Sequence, residues 1–259
     1  MMDIPMGRKI CYTVAIEYKE AAMERLDKII ANRGAASRRE VKDLVRQGRV
    51  LVNGVPASAP DMKVAAETAV ITVDGVTLSA ERYLYLLLHK PAGVLTATED
   101  KRQPTVLDLI PETYRRRDLA PVGRLDKDTE GLLLLTDHGE LTHRLLSPKY
   151  HVDKVYYARV DGVPDAADAA AFAAGLLLGD GLQCLPAKLE LLGGDACLVT
   201  LREGKFHQVK RMLASRGKPV LYLKRLAMGP LTLEDTLPAG QCRPLTEEEI
   251  SALRCACGV

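Results

Sequence analysis

Asp126 is the residue of this chain best placed to do chemistry. It lies in Gly123-Arg124-Leu125-Asp126-Lys127-Asp128-Thr129-Glu130-Gly131, a charged loop that runs directly into Leu132 to Leu135 and Thr136. The apolar run is too short for a core helix and is bracketed by Gly131 and Gly139, which makes it a buried strand. A sheet would hold the carboxylate rigidly, and a carboxylate so held can attack a carbon or remove a proton.

Two other readings compete at this point. Aspartate bonds its own backbone well in loops, so Asp126 could simply cap a turn. Asp126, Asp128, Glu130, Gly131 and Asp137 also fall at positions 1, 3, 5, 6 and 12 of the calcium-loop template. That match fails on its flanks, because the template needs a helix on each side. Here Pro121 and Gly123 precede the loop, Leu132 to Leu135 fill its second half, and the last position is the shorter Asp.

Taken whole, the string Gly123 to Thr136 closely resembles the active-site signature of the bacterial pseudouridine synthases that modify ribosomal RNA, with Asp126 at the place of their essential aspartate. Three more segments agree in order and spacing. Leu88-His89-Lys90-Pro91-Ala92-Gly93-Val94 resembles the family's entry motif, and His151-Val152-Asp153-Lys154-Val155-Tyr156 its tyrosine motif. Glu203-Gly204-Lys205-Phe206-His207-Gln208-Val209-Lys210-Arg211-Met212 resembles its basic motif. The resemblance runs from about Met23 to about Leu253, and four motifs in register carry far more weight than one.

Composition agrees. The 259 residues can hold a sizeable core and two domains, at about 100 to 200 residues each. There is no Trp, there are two Phe, and no apolar stretch reaches the roughly 18 residues of a membrane span. Six Cys at 11, 184, 197, 242, 255 and 257 show no CxxC spacing. They read as reduced thiols of a cytoplasmic protein rather than as a zinc site, with Cys255 and Cys257 in a frayed tail.

Net charge is only +2, but it is unevenly spread. Residues 25–49 hold eight Lys or Arg against three acids, and residues 200–225 hold eight against Glu203 alone. Either cluster by itself could be a solvated face, whereas two flanking one suspected site favour a polyanionic partner.

In the first cluster Leu26, Ile29 and Ile30 form the apolar side of a short helix ended by Gly34. Ser37-Arg38-Arg39-Glu40 is a capping box that opens a second helix, with Val41, Leu44 and Val45 inward and Gly48 as its stop. Arg49 to Asn53 alternates as a strand, Asn53-Gly54 turns the chain, and Val70 to Val73 supplies a later strand. Arg38, Arg39, Lys42 and Arg46 are left outward. The unit resembles the ribosomal-protein-type (S4-like) helix-pair and β-hairpin module found at the front of many rRNA modification enzymes. The resemblance implies an RNA-docking domain over residues 23–80, with Arg25, Arg38, Arg39, Lys42 and Arg46 as phosphate contacts.

A hinge is expected between Leu78 and Arg82, followed by a catalytic domain over residues 82–255. Strands are expected at Tyr83 to Leu88, Leu132 to Thr136, Lys154 to Val160, Ala187 to Leu192, Ala196 to Leu201, Val220 to Leu223 and Gly229 to Leu233. Helices are expected at Leu141 to Leu146, Ala166 to Ala174, Phe206 to Ser215 and, behind a capping box with Glu249, Thr246 to Leu253. That mixture predicts an α+β fold on a mainly antiparallel sheet.

Pseudouridine formation breaks the bond between ribose C1′ and uracil N1, turns the base and rejoins it through C5. It needs no redox cofactor and no nucleotide energy, which fits the absence of a Walker or Rossmann glycine loop. The aspartate can attack C1′ or open a glycal route by removing a sugar proton, and both alternatives remain open. The resemblance supplies the roles. Asp126 is the essential carboxylate, and Lys210 is the cation that keeps it ionised, against the alternative that Lys210 lies on the wet face of a helix whose inner face is Phe206, Val209 and Leu213. Lysine here, where other branches carry arginine, gives a point charge instead of a bidentate fork. Tyr156 stacks on the uracil and helps move the C5 proton, against the alternative of an ordinary strand tyrosine, and Arg124 contacts phosphate or fills the stack left by a flipped base. His207 reads as structural.

Thr136-Asp137-His138-Gly139, Ser147 to His151 and Arg243 to Ile250 resemble the small-subunit branch more than the large-subunit ones. The partner implied is rRNA or a pre-ribosomal particle, bound by a monomer; the competing class is a noncatalytic RNA-binding assembly protein. Met23 reads as a natural family start, which makes Met1 to Ala22 an expected translated leader without a secretory pattern.

Overall fold

The computed structural model describes residues 23–66, 68–78, 83–116, 118–150 and 152–258. The expected leader and most of the expected hinge lie outside the described residues. The chain divides into two compact units between residues 80 and 81, with residues 32–34 grouped in the second.

The first unit follows the local signals. β1 (Met23–Arg25) leads into α1 (Leu26–Asn32), and α2 (Arg38–Arg46) begins at Ser37. Ser37 Oγ accepts from the Glu40 amide while the Glu40 carboxylate accepts from the Ser37 amide at 2.7 Å, so two otherwise orphaned donors are satisfied. The strands β2 (Val50–Val52), β3 (Val55–Pro56), β4 (Lys63–Ala65), β5 (Ile71–Val73) and β6 (Val76–Thr77) complete the unit. β1 pairs with β4, and the other four form a sheet in the order β3-β2-β5-β6. Asn53 and Gly54 are both left-handed, at φ 52° and 81°, as a two-residue hairpin turn requires. Asp74-Gly75 repeats the device at the β5–β6 hairpin, a turn not anticipated from the sequence. Leu26, Ile30, Val41, Val50 and Ile71 are fully buried in one core.

The second unit is built on a sheet ordered β11-β12-β10-β13-β9-β7-β15. Its strands are β7 (Tyr85–Lys90), β8 (Ala120–Pro121), β9 (Glu130–Thr136), β10 (Lys154–Val160), β11 (Lys188–Gly193), β12 (Ala196–Leu201), β13 (Val220–Met228), β14 (Leu231–Thr232) and β15 (Cys242–Pro244). β8 and β14 attach as short branches, and every pairing is antiparallel except β13 with β9. The helices are α3 (Gly139–Leu146), α4 (Ala166–Ala174), α5 (Gln208–Ser215) and α6 (Glu247–Cys257).

β9 is buried on both faces, which accounts for its unbroken apolar run. Leu133 and Leu135 enter one core with Phe172 and Met212, while Leu132 and Leu134 enter the other with Leu141 and Leu253. α6 opens at Thr246 with the expected capping box but runs four residues beyond Leu253 before the left-handed Gly258 closes it. Cys257 is therefore fully buried and not part of a frayed tail. β13 continues past Leu223 to Met228, and α5 starts at Gln208, not Phe206, because His207 adopts φ 49°. Phe206 is 76 % exposed instead of lining the inner face, which Val209, Met212 and Leu213 supply.

Candidate active site

The loop carrying Asp126 is fixed from behind by one buried lysine. Lys90, at the end of β7, is fully buried, and its ammonium donates to the carbonyls of Pro91 (3.0 Å), Lys127 (3.2 Å) and Thr129 (2.9 Å). Burial pushes Lys90 down to about 8, against the raising influence of Asp128 and Asp126. The Thr96 hydroxyl donates to the Leu125 carbonyl at 2.7 Å, and the Gly93 amide to the Lys127 carbonyl at 2.7 Å. Gly131 closes the loop at φ +110°, where a Cβ would overlap the backbone of Arg225 on β13. These backbone anchors leave the Asp126 side chain about a quarter exposed, at the bottom of a cleft.

Opposite the loop stands the N-terminal turn of α5. Lys210 Nζ lies 3.2 Å from Asp126 Oδ2 and 2.6 Å from Asp128 Oδ1. Hydrogen bonding from Lys210 holds the Asp128 carboxyl below the usual range. Desolvation pulls Lys210 down, but its bonds to Asp128 and Asp126 outweigh that and hold it above an ordinary lysine. His207 Nε2 stands 3.4 Å from the other oxygen of Asp126, so His207, expected to be structural, belongs to the site. Its ring stacks on Phe206 with centroids 3.8 Å apart. The turn is braced by the buried Gln208, whose side-chain amide donates to Glu203 at 2.5 Å and whose carbonyl accepts from the Lys205 amide at 3.0 Å.

Tyr156 on β10 and Arg124 line the same cleft, of about 660 Å³, as Asp126 and His207. Tyr156 is nearly buried, while Arg124 is exposed at the rim. Asp126, Tyr156, Lys210 and Arg124 thus meet in one place, although they come from a loop, a strand and a helix. The calcium geometry does not form: no three His, Cys, Asp or Glu among the described residues are placed to hold a metal.

The remaining anticipated contacts lie in the first unit. Arg38, Arg39, Lys42 and Arg46 are all exposed, with Arg46 paired to Asp43 at 3.1 Å. Arg25 differs, because its guanidinium is bound two-pronged by the buried Asp27 at 2.8 and 3.0 Å. One edge of the guanidinium is thereby committed within the fold. Lys90, Lys154, Arg225 and Asp128 are site residues that carry no assigned role at the level of sequence. Lys90 and Lys154 lie inside the entry and tyrosine motifs, and that is the one signal the sequence offers for them.

Residues 84–215 match the family model for RNA pseudouridylate synthase. The chain belongs to that family. Residues 24–70 match the S4 domain. An uncharacterized RNA pseudouridine synthase of Bacillus subtilis is 45 % identical over 233 residues, covering 88 % of this chain and 98 % of the relative. The ribosomal small subunit pseudouridine synthase A of Pseudomonas aeruginosa is 40 % identical, covering 88 % of this chain and 100 % of its own. The ribosomal large subunit pseudouridine synthase B of Bacillus subtilis is 39 % identical, covering 90 % and 96 %. A crystal structure of a pseudouridylate synthase superimposes with a TM-score of 0.62 at 35 % identity, covering 89 % of this chain and 99 % of that one. This pseudouridine synthase therefore joins an S4 domain to a synthase domain and shares the fold of that solved relative. No helix among the described residues is long and apolar enough to cross a membrane.

Proposed function

We propose that this pseudouridine synthase isomerises one uridine of small-subunit (16S) ribosomal RNA, with residues 23–80 docking the RNA and residues 82–255 doing the chemistry. The observation that carries this reading is the pairing of Asp126 with Lys210 at the floor of a cleft walled by Tyr156. Asp126 attacks C1′ or removes a sugar proton, and the cation beside it stabilises the carboxylate. Tyr156 stacks on the detached uracil while it turns, and Arg124 at the rim contacts phosphate or the vacated base stack. His207 Nε2 faces the second carboxylate oxygen of Asp126 at 3.4 Å. The cycle uses no cofactor, and the protein works as a cytoplasmic monomer on rRNA or a pre-ribosomal particle.

The choice of subunit rests on Thr136-Asp137-His138-Gly139 and on the segment Arg243 to Ile250, which resemble the small-subunit branch. A large-subunit target is the second reading, since a large-subunit enzyme is 39 % identical. Mapping pseudouridine in both rRNAs of a strain lacking the protein tests the proposal. One missing site in 16S rRNA is expected. A site missing from 23S rRNA instead would reassign the target, and no missing site in either would remove rRNA as the substrate.

A further inference from the structure

Two cations, neither in a salt bridge among the described residues, are buried in the wall of the Asp126 cleft. Lys154 is 4 % exposed and Arg225 2 % exposed, and both line the same cleft as Asp126 and Tyr156. Strand geometry puts them together. Lys154 lies two residues before Tyr156 on β10, so their side chains share a face, and Arg225 on β13 is registered directly opposite Tyr156.

Neither is satisfied as Lys90 is. The Lys154 ammonium makes one long bond, 3.3 Å to the Val152 carbonyl. The Arg225 Nε donates to the Leu132 carbonyl at 2.8 Å, while Nη2 is buried with no hydrogen-bond partner among the described residues. Neither forms a salt bridge with a described residue. The nearby carboxylate Asp153 is occupied by Arg202 at 2.8 Å on the exposed side of the strand. Burial first, and the charge of Arg225 second, push Lys154 down to about 8, so it still carries its proton at neutral pH. Burying two cations without a counter-ion is costly, and a bound anion would offset that cost.

We infer that Lys154 and Arg225 form an anion subsite that takes the phosphate of the nucleotide whose base lies against Tyr156. The inference rests on the function proposed above. One nucleotide joins base, sugar and phosphate covalently, and the cleft presents an aromatic ring, a carboxylate and two unneutralised cations within one cavity. Fixing the phosphate would hold the ribose in register with Asp126, so both residues act as positioning groups for the reaction.

The test compares uridine, uridine 5′-monophosphate and inorganic phosphate by equilibrium titration of the full-length protein and of Lys154→Gln, Lys154→Arg and Arg225→Gln. The wild type should bind the monophosphate at least tenfold more tightly than uridine, with inorganic phosphate competing. Lys154→Gln and Arg225→Gln should lose that preference while still binding uridine, and Lys154→Arg should keep most of it. Should Arg225→Gln fail to fold, the two Lys154 variants decide. A preference absent from the wild type, or undiminished in folded Lys154→Gln, would overturn the subsite. Once the modified uridine is mapped, RNAs with an uncharged methylphosphonate on either side of it extend the test to the polymer. Replacing one of these two phosphates should lower wild-type kcat/KM at least tenfold and leave Lys154→Gln nearly unaffected. Equal losses in both proteins would contradict the assignment. Phosphate binding that depends on both residues in a protein unable to make pseudouridine would leave the subsite standing and remove the proposed function instead.

Discussion

Lys210 Nζ reaches Asp126 Oδ2 at 3.2 Å from the first turns of α5, and the same ammonium binds Asp128 at 2.6 Å. One lysine therefore pairs with two carboxylates of one loop. Removing it takes the shared ion-pair partner from Asp126, a quarter exposed, and from the more solvated Asp128.

Lys210→Ala is expected to lower the rate of pseudouridine formation by about 100-fold or more, the usual scale for deleting one electrostatic interaction with reacting groups. Lys210→Arg should restore part of it. The alanine variant should also release Asp128, whose carboxyl would then titrate at higher pH than in the wild type, because hydrogen bonding from Lys210 is what holds it low. Single-turnover rates together with carboxyl-carbon NMR titrations check both. An unchanged rate in the alanine variant would make Lys210 surface charge.

Gly131→Ala is expected to be more damaging than most alanine substitutions. The added Cβ would overlap the Arg225 backbone, and φ +110° is open only to glycine. A loss of about 3 kcal/mol or more should appear in denaturant unfolding, since backbone, not a flexible side chain, has to move.

Lys90→Met tests the buried anchor behind the loop. The folded protein holds Lys90 at about 8, below its unfolded value of 10.5, so the charged form is disfavoured by folding. The unfolded chain binds more protons between those values, and stability due to this group must rise as pH climbs from about 8 to about 10.5. Relative to Lys90→Met, the wild type should gain about 1–3 kcal/mol across that window. Unfolding free energies at pH 7.5 and 10.5 measure it, and a constant difference would contradict the assignment. Activity should fall in Lys90→Met at any pH, because three carbonyls around the Asp126 loop would lose the ammonium, with the Gly93 amide still donating to that of Lys127.

Alanine at Arg38, Arg39, Lys42 and Arg46 together should flatten the salt dependence of RNA binding, by about one unit or slightly less of log-log slope for each phosphate no longer neutralised. Arg25→Ala should act differently. It strips the buried Asp27 of its two-pronged partner, so its effect should fall on stability, with little change in slope. Binding titrations from low to high salt separate the two outcomes.

Features set by neighbouring residues are readable in the sequence. The capping boxes at Ser37 and Thr246, the Asn53-Gly54 turn and the doubly buried β9 follow from local chemistry and from the length of one apolar run. Asp126 is readable because a motif surrounds it. What is not readable depends on distant partners. Arg225 counts as one more charge in a basic cluster until the sheet buries it beside Lys154, and Phe206 looks like a core residue until the left-handed His207 delays the helix by two positions. Asp128 and Lys210 are 82 residues apart, and only the fold makes them a pair. Cys257 looks like tail because nothing local reveals that α6 packs its last turn against the core.

Every role assigned in the cleft presupposes that the Asp126 carboxylate performs the reaction. Turnover of Asp126→Asn on the rRNA fragment that contains the uridine mapped in the deletion strain decides this. Asparagine keeps the shape but cannot attack C1′ or remove a proton. The barrier should be higher by about 5 kcal/mol or more, a rate lower by several decades, with unfolding and RNA affinity close to wild type. Turnover within tenfold of wild type would contradict it.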